Sequence, residues 1–249
     1  MNLDAVYILW LREIKRFLRS KSRIIGSLAF PSLILIIIGT GLNSVFTMGT
    51  LSYSEFLAPG MIGMVLLFSS ISFGIMIIWD RQFGFLKEIL VAPISRSSII
   101  LGKALGGVTT SMMQALLFLA VCFALGTAFP GPLKFALLLT VMVLVAVGFV
   151  LLGIAFSSRM KDFHGFSLIM NFVVMPVFFL SGAFFPLDRL PGWLKWLVYV
   201  DPLTYGVDAL RYCMVNTSIF PIGVNLLALA IFAGLTTLAG TLLFSTSQL

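Results

Sequence analysis

The sequence predicts an all-α membrane protein with six transmembrane helices, and the basis for this is its composition and hydropathy pattern. Hydrophobic residues make up 60% of the 249 residues, charged residues make up 10%, and the mean hydropathy is +1.12. A soluble domain instead has about 45–50% apolar and about 25% charged residues. A helix needs about 20 mostly apolar residues to cross a bilayer. Such runs occur six times, at about residues 24–46, 57–79, 99–127, 133–156, 164–185 and 220–244.

Residues 1–23 have the pattern of an amphipathic helix that lies in the membrane surface. Apolar side chains recur at helical spacing along one face, and Asp4 and several basic residues occupy the other. A cleaved signal peptide has its positive charges before its apolar run, whereas here they lie within the amphipathic pattern. We therefore expect a retained interfacial helix over 1–23, followed by one six-span domain over 24–249. The expected apolar face consists of Leu3, Val6, Tyr7, Trp10, Leu11, Ile14, Phe17 and Leu18.

The distribution of basic residues predicts the orientation. Of the 16 Lys and Arg residues, 12 lie before the first span, in the stretch from the second span through Lys103 near the start of the third, or between spans four and five. Because Lys and Arg concentrate in cytoplasmic loops, both termini are expected in the cytoplasm of a multi-pass protein of the cell membrane. The net charge of +7 is then a topological signal and not a sign of nucleic-acid binding. Lys103 and Lys134 lie near span ends and are expected to reach the interface by snorkelling.

The sequence offers few residues for catalysis or metal binding. His164 is the one histidine, and the two cysteines form no CxxC pair. A phosphate-binding loop is absent, because Ser97 stands where its first glycine belongs and Ala104 replaces its Ser or Thr. We therefore expect no enzyme activity, metal site or cofactor in this chain. An ion-coupled carrier or channel without an ATPase partner, or an integral-membrane enzyme, remains an alternative, although the spans lack the central charged residues that ion coupling usually requires.

The segment between the second and third spans, about residues 80–96, has an unusual amphipathic pattern. Phe83, Leu86, Ile89 and Leu90 share one helical face, and Pro93 ends the pattern. This favours a short cytoplasmic helix held between two spans, through which a partner can move them. A solvated loop with incidental amphipathicity is the alternative.

The last extracellular loop is predicted to contain short re-entrant helices. Pro186, Pro191 and Pro202 prevent one continuous helix, and the run "PGWLKWLVYV" is apolar enough to dip into the outer leaflet. Irregular backbone at membrane depth must be covered by protein or line a wet cavity. The loop is therefore a candidate extracellular gate, with a surface connector as the alternative.

The pathway is expected to be lined by aromatic and aliphatic surface with scattered hydroxyl and amide groups. Core packing is the alternative for each of these side chains. The candidates are Ser69, Ser70, Ser72, Asn171, Phe172, Phe178 and Phe179.

Two separated blocks resemble the permease subunits of type-2 ABC exporters. The block "DRQFGFLKEILVAPISRSSIILGKAL" is similar to the family's first cytoplasmic loop, with its "LKE" step, "P-x-S-R" turn and "GK". The block "LSGAFFPLDRLPGWLKWLVYVDPLTYGVDALR" matches the "SG-x-x-F-P", "LP-x-W" and "P-L-T-Y" pattern and its closing arginine. With six spans in order, the resemblance covers nearly the whole chain and looks closest to the drug-resistance branch.

The resemblance implies a complete transport mechanism. Two permease subunits, expected as a homodimer, would form the pathway, and two separate ABC ATP-binding subunits carrying ATP and Mg would drive it. The cargo would be an amphipathic drug, a lipid or a lipid-linked glycan. The implied coupling residues are Asp80, Arg81, Phe83, Gly84, Phe85, Leu86, Glu88, Pro93 and Arg96. The gate candidates are Pro186, Pro191, Trp193, Pro202, Tyr205 and Arg211.

Overall fold

The computed structural model describes residues 2–43, 51–84, 95–160, 162–187 and 190–246. In these residues the chain forms ten α-helices and one π-helical segment. The helices are α1 (Leu3–Arg19), α2 (Lys21–Leu42), α3 (Tyr53–Gln82), α4 (Arg96–Ala124), α5 (Pro132–Arg159), α6 (Phe163–Ile169), α7 (Met175–Leu180), α8 (Gly192–Val200), α9 (Pro202–Val215) and α10 (Ile222–Thr246).

Six helical segments are long and apolar enough to cross a membrane, which confirms the predicted six-span, all-α architecture. Five of them are α2, α3, α4, α5 and α10, and the fifth span in chain order, Phe163–Leu180, combines α6, the π-helical segment and α7. The first span begins at Lys21, three residues before the expected start, because only Ser20 separates it from α1. We call the two ends of the bundle the α1 end and the α8 end, because these helices lie there.

The second span is the centre of the bundle. Helix α3 is largely buried and packs against α2, α4, α5 and α9, and α10 covers the other side of α5. Two glycines of α3 permit close approaches to the backbone of neighbouring segments. A Cβ at Gly74 would lie 2.5 Å from the carbonyl oxygen of Gly153 in α5, and a Cβ at Gly60 would lie 2.6 Å from that of Ala183. Backbones can therefore meet at the core of the bundle, as they do where small residues line membrane helix interfaces.

The fifth span is interrupted by the π-helical segment Met170–Val174. Pro176 follows it in the first turn of α7. Proline has no N–H to donate and its ring crowds the carbonyl four residues earlier, so a wider turn before it relieves the clash. Segments of this kind are frequent at functional sites.

Helix α1 has three sides with different surroundings. Leu9, Glu13 and Phe17 are buried against α4. A second side is apolar and exposed, as Leu3 and Tyr7 show with 68% and 57% of their surface accessible. Leu18 belongs to the same side. Basic residues occupy the third side. The apolar face predicted from the sequence is therefore divided between protein contact and a surface suited to lipid.

The last loop forms two short helices that fold back against the spans. Helix α9 packs against α3, α5 and α10, and its residues Leu203 to Met214 are mostly buried. A Cβ at Gly206 would meet Val145, near the middle of α5, at 2.8 Å. Helix α8 is more exposed, with Trp193 and Trp196 accessible over 70% and 76% of their surface. Helices α8 and α9 therefore have the arrangement expected of re-entrant helices.

Candidate functional site

A buried ion cluster joins α1, α3 and α4 at the α1 end. Asp80, in the last turn of α3, is 4% exposed, and Arg12 of α1 donates one hydrogen bond to each of its carboxylate oxygens, at 3.0 and 3.2 Å. Arg16 lies 3.4 Å from the same carboxylate. Lys103 of α4, itself 1% exposed, also donates to Asp80. The expectation that Lys103 snorkels to the interface is wrong, because the carboxylate of Asp80 holds its ammonium group inside the bundle.

Glu13 adds a second carboxylate to this cluster. It is 4% exposed and lies 2.8 Å from Arg12 and 3.9 Å from Arg16. Burial by itself lowers the pKa of Arg12, but its hydrogen bonds to Asp80, together with the charges of Asp80 and Glu13, outweigh that effect and raise the pKa. Arg12 therefore stays charged. The buried carboxylate of Asp80, which accepts several charge-assisted hydrogen bonds, is held firmly in place.

Close helix packing puts α1 within reach of Asp80. A Cβ at Gly102 would lie 2.8 Å from the Cβ of Leu9, and one at Gly106 would lie 2.7 Å from the Cβ of Glu13. Trp10 adds a hydrogen bond of 3.0 Å from its indole N–H to the hydroxyl of Thr109. Because α1 lies directly against the backbone of α4, Arg12 and Arg16 of α1 reach past α4 to Asp80 of α3.

Arg81 fastens the end of α3 to the end of α5. Its guanidinium donates to the carbonyl of Met160 at 2.9 Å and to that of Ser157 at 3.1 Å. These carbonyls belong to the last turn of α5 and its cap, where helical acceptors lack partners of their own. Neighbouring residues of α3 therefore bind different helices, Asp80 to α1 and α4 and Arg81 to α5.

The structure describes only part of the expected coupling segment. Phe83 follows α3 and is 80% exposed, Gly84 has φ +80°, and Arg96 is the first residue of α4. The remaining expected coupling residues, Phe85, Leu86, Glu88 and Pro93, lie outside the described residues, so the coupling helix itself stays a prediction. The structure does place both of its flanks, and both belong to helices joined by the ion cluster.

Arg211 organises the gate candidates at the α8 end. Its guanidinium donates to the carbonyl of Gly182 at 2.9 Å and lies 4.0 Å from the centre of the Phe56 ring in α3. Tyr53, one turn earlier in α3, donates its hydroxyl to the carbonyl of Phe184 at 3.0 Å. The chain after α7 is therefore fixed to both α9 and α3, and Gly182 adopts φ +75° there, a conformation that favours glycine.

The other gate candidates are not gathered around one point. Tyr205 donates its hydroxyl to the carbonyl of Tyr199, which fastens α9 to α8. Pro202 is the first residue of α9, and Pro191 caps α8. Pro191 and Trp193 are exposed, whereas Pro186, which precedes both helices, is half-buried. These residues shape the loop, whereas Arg211 connects it to the spans.

Two buried aspartates of this loop were not singled out from the sequence. Asp201 begins α9 and accepts hydrogen bonds from the Leu203 N–H and the Thr204 hydroxyl. Asp208 accepts from the backbone N–H groups of residues 219 and 220 and from the side chain of Asn225. Asp201 had a local signal, since an acidic residue before proline is a common helix start. Asp208 had none, because its partners lie 11 to 17 residues away.

A cavity of about 470 Å³ opens between α2, α3, α4 and α7. Most of its lining is apolar, and Arg23 of α2 contributes the one charged side chain among the described lining residues. The polar lining residues are Ser27, Ser69, Ser72 and Gln114. The apolar ones include Phe30, Pro31, Met64, Val65, Phe68 and Met175.

The pathway candidates divide between this cavity and other surfaces. Ser69 and Ser72 line the cavity, whereas Ser70 is buried without a hydrogen-bond partner in the described part of the chain. Phe178 is 2% exposed and packs edge-on against Phe68, a lining residue. Asn171 and Phe172 are exposed on the π-helical segment, and Phe179 is exposed on α7. Their roles in transport stay predictions.

The profile of the family described as "ABC-2 type transporter" matches residues 4–215, a range that includes α1, the first five spans and both loop helices. The chain belongs to this family. Relatives of the chain include proteins named as transport permeases, and its six apolar helices make it a multi-pass membrane protein.

Individual relatives show similar coverage. The inner membrane transport permease YadH of Escherichia coli K12 is 27% identical over 92% of this chain and 90% of its own length. Nodulation protein J of Rhizobium meliloti is 27% identical over 84% of this chain and 80% of its own. The putative transport permease ycf38 of Porphyra purpurea is 30% identical over 70% of this chain. The chain spans 60% of the length of that last relative.

Proposed function

We propose that this permease is the membrane subunit of an ATP-driven exporter. It forms the translocation pathway, and a separate ABC ATP-binding subunit drives it by docking at the α1 end. ATP and Mg bind that partner, and ATP hydrolysis takes place there. Membership of the ABC-2 family supports this proposal over an ion-coupled carrier or channel or an integral-membrane enzyme, because the match covers residues 4–215.

The observation that carries the proposal is the fastening of both flanks of segment 85–94. On one side, Asp80 and Arg81 bind α1, α4 and α5. On the other, α4 begins at Arg96 and holds Lys103, two turns further on, against Asp80. A force on the segment therefore reaches three spans and the surface helix together. This is what a coupling element requires, because a slack loop would absorb the force.

We propose that two copies of the permease associate. The first and fifth spans are the interface candidates, and their exposure supports the choice. In their most apolar stretches 17% of residues are buried, compared with 22% for the sixth span and 72% for the second. Large apolar side chains such as Ile37 and Phe172 are exposed on them, with 65% and 76% of their surface accessible. Two-fold dimers are the commonest closed symmetry, and each copy would engage one ATP-binding subunit.

We place the α1 end in the cytoplasm of a cell-membrane protein, with both termini on that side. The excess of Lys and Arg at this end supports the assignment. The three sides of α1 also fit a membrane surface, with exposed apolar residues toward lipid and exposed basic residues toward the headgroups.

The cargo class is an amphipathic molecule such as a drug, a lipid or a lipid-linked glycan. The mostly apolar cavity with a few polar groups supports an amphipathic cargo. The test is reconstitution of the permease with its cognate ATP-binding subunit in liposomes. ATP-dependent movement of a fluorescent amphiphile is expected, together with co-purification of the two subunits. A permease that never retains an ATP-binding subunit, and that moves amphiphiles equally well without ATP, would contradict the proposal.

A further inference from the structure

One charged side chain that lines the cavity, Arg23, has no hydrogen-bond acceptor among the described residues. Arg23 lies in the first turn of α2 and lines the cavity at its α1 end. No residue in the described part of the chain accepts a hydrogen bond from it, although Arg12 and Arg16 on the preceding helix both have carboxylate partners. Arginine is suited to phosphate and carboxylate groups, because its planar guanidinium offers several donors in a fixed geometry.

The other polar lining residue with an unmet requirement is Gln114. It is 2% exposed, and its Oε1 is buried without a hydrogen-bond partner among the described residues. A buried polar atom without a partner is costly, and few such atoms are found in native structures. Ser27 and Ser69 also line the cavity, but their hydroxyls donate to carbonyls of their own helices. Arg23 and Gln114, together with the Ser72 hydroxyl, are therefore the lining groups most available to a ligand.

We propose that this cavity binds an anionic amphiphile that enters from the leaflet at the α1 end. Its phosphate, sulfate or carboxylate group pairs with Arg23, and its apolar body lies against Phe30, Met64 and Phe68. A hydroxyl or amide N–H of the ligand donates to Gln114 Oε1. The cavity volume of about 470 Å³ falls within the roughly 300–1,000 Å³ of sites for drug-sized ligands. It therefore fits a single-chain or drug-sized amphiphile.

This inference deepens the proposed function by naming the charge of the cargo, and it rests on that function only for the view that the bound molecule is transported. Binding is measured on the full-length permease in nanodiscs of uncharged lipid, without an ATP-binding subunit. A failure to couple to ATP would leave the binding result unaffected. The probes are fluorescent lysophosphatidic acid and fluorescent monoacylglycerol, which have the same chain and differ in the phosphate.

The wild type is expected to prefer lysophosphatidic acid. Because a charge-assisted hydrogen bond is lost, Arg23→Gln should weaken the binding of lysophosphatidic acid by about tenfold or more. Binding of monoacylglycerol should stay unchanged. Arg23→Lys, which keeps the charge, should retain most of the preference. Lys21→Gln is the matched control, because Lys21 lies in the same first turn of α2 but does not line the cavity.

Two results would overturn the proposal. One is an equal loss of lysophosphatidic acid binding in Lys21→Gln and Arg23→Gln, which would indicate attraction to surface charge in general. The other is unchanged binding of both probes after Met64→Trp, which places a larger side chain in the cavity and should weaken both. If Arg23→Gln does not fold, Arg23→Lys and Met64→Trp still decide the question.

Discussion

Arg12 of the surface helix forms a two-pronged ion pair with Asp80 at the end of the second span, across 68 residues of chain. Each nitrogen of the fork meets one carboxylate oxygen, the arrangement that gives arginine–carboxylate pairs both strength and direction. Lys103 of the third span also forms an ion pair with Asp80. Helix α1 is therefore coupled to the two spans that flank the expected ATPase-docking segment.

Removing the shared carboxylate should destabilise the permease. Asp80→Asn leaves Lys103 as an unpaired ammonium with 1% exposure, and breaking a buried pair costs about 3–5 kcal/mol. The melting temperature of the purified protein should fall by on the order of 10 °C, whereas Asp4→Asn on the exposed part of α1 should have little effect. The double change Asp80→Asn, Lys103→Met should recover part of the loss. A double variant that is less stable than Asp80→Asn would contradict the pairing.

Enlarging Gly106 should separate α1 from α4. A Cβ there would lie 2.7 Å from the Cβ of Glu13, so Gly106→Leu forces the helix away and lengthens the reach of its arginines to Asp80. Limited trypsin digestion should then cleave at the arginines of α1 faster than in the wild type. The control is Gly234→Leu, since a Cβ at Gly234 meets nothing within 4 Å. Identical digestion of both variants would show that α1 is not seated on this glycine.

Replacing Arg211 should loosen the loop at the α8 end. Arg211→Met removes the donor to the carbonyl of Gly182 and the cation over the Phe56 ring. Loss of a hydrogen bond to a charged group costs about 1.5–3 kcal/mol, so thermal stability should fall and chymotrypsin should cut the loop faster. Arg211→Lys should restore little, because an ammonium lacks the planar fork. Full recovery by lysine would show that charge alone is required; Lys195→Met serves as the control.

Changes in the expected coupling segment should separate docking from folding. Phe85→Ala with Glu88→Lys removes an apolar contact worth about 1.5–3 kcal/mol and reverses a charge that would set the register on the ATP-binding subunit. Co-purification of that subunit and substrate-stimulated ATP hydrolysis should both fall, while the permease inserts normally. Phe129→Ala is the control, at an exposed position between α4 and α5. Wild-type values for the double variant would identify the segment as a passive loop.

The orientation can be tested by labelling single cysteines in intact cells. A cysteine at position 193 should react with an impermeant maleimide from outside, because Trp193 is 70% exposed at the α8 end. A cysteine at position 87 should react only after the membrane is opened. Both native cysteines are fully buried, so they should give little background. Labelling of position 87 but not 193 in intact cells would reverse the topology.

The sequence was informative where structure depends on local pattern. Six apolar runs gave six spans within a few residues, and the proline-rich loop gave two short helices, because length and helix breaking are properties of neighbouring residues. The ion cluster was not predictable in this way. Asp80 was named as a coupling residue and Lys103 as a snorkelling one, yet they bind each other, since which ends of which helices meet is decided by packing of the bundle.

The division of α1 into three sides had the same cause. Its apolar periodicity was evident, but not that Phe17 would be buried while Leu18 stayed exposed. That distinction depends on Gly102 and Gly106, which lie some 90 residues further along the chain and create the seat for α1. That Arg23 has no partner among the described residues was likewise not evident from the sequence, where it was one of six basic residues before the first span.

The chain position of Arg12 also bears on how the protein is made. Synthesis and membrane insertion proceed from the N-terminus, so α1 reaches the bilayer before Asp80 is translated, and Lys103 follows 23 residues after Asp80. At the surface, anionic headgroups can balance the arginines of α1 during that interval. When the second span inserts, Asp80 can pair with the arginines of α1, which are already at the membrane. The third span then adds Lys103. The buried charges thus enter the membrane as partners, so the growing chain need never leave Asp80 alone in lipid.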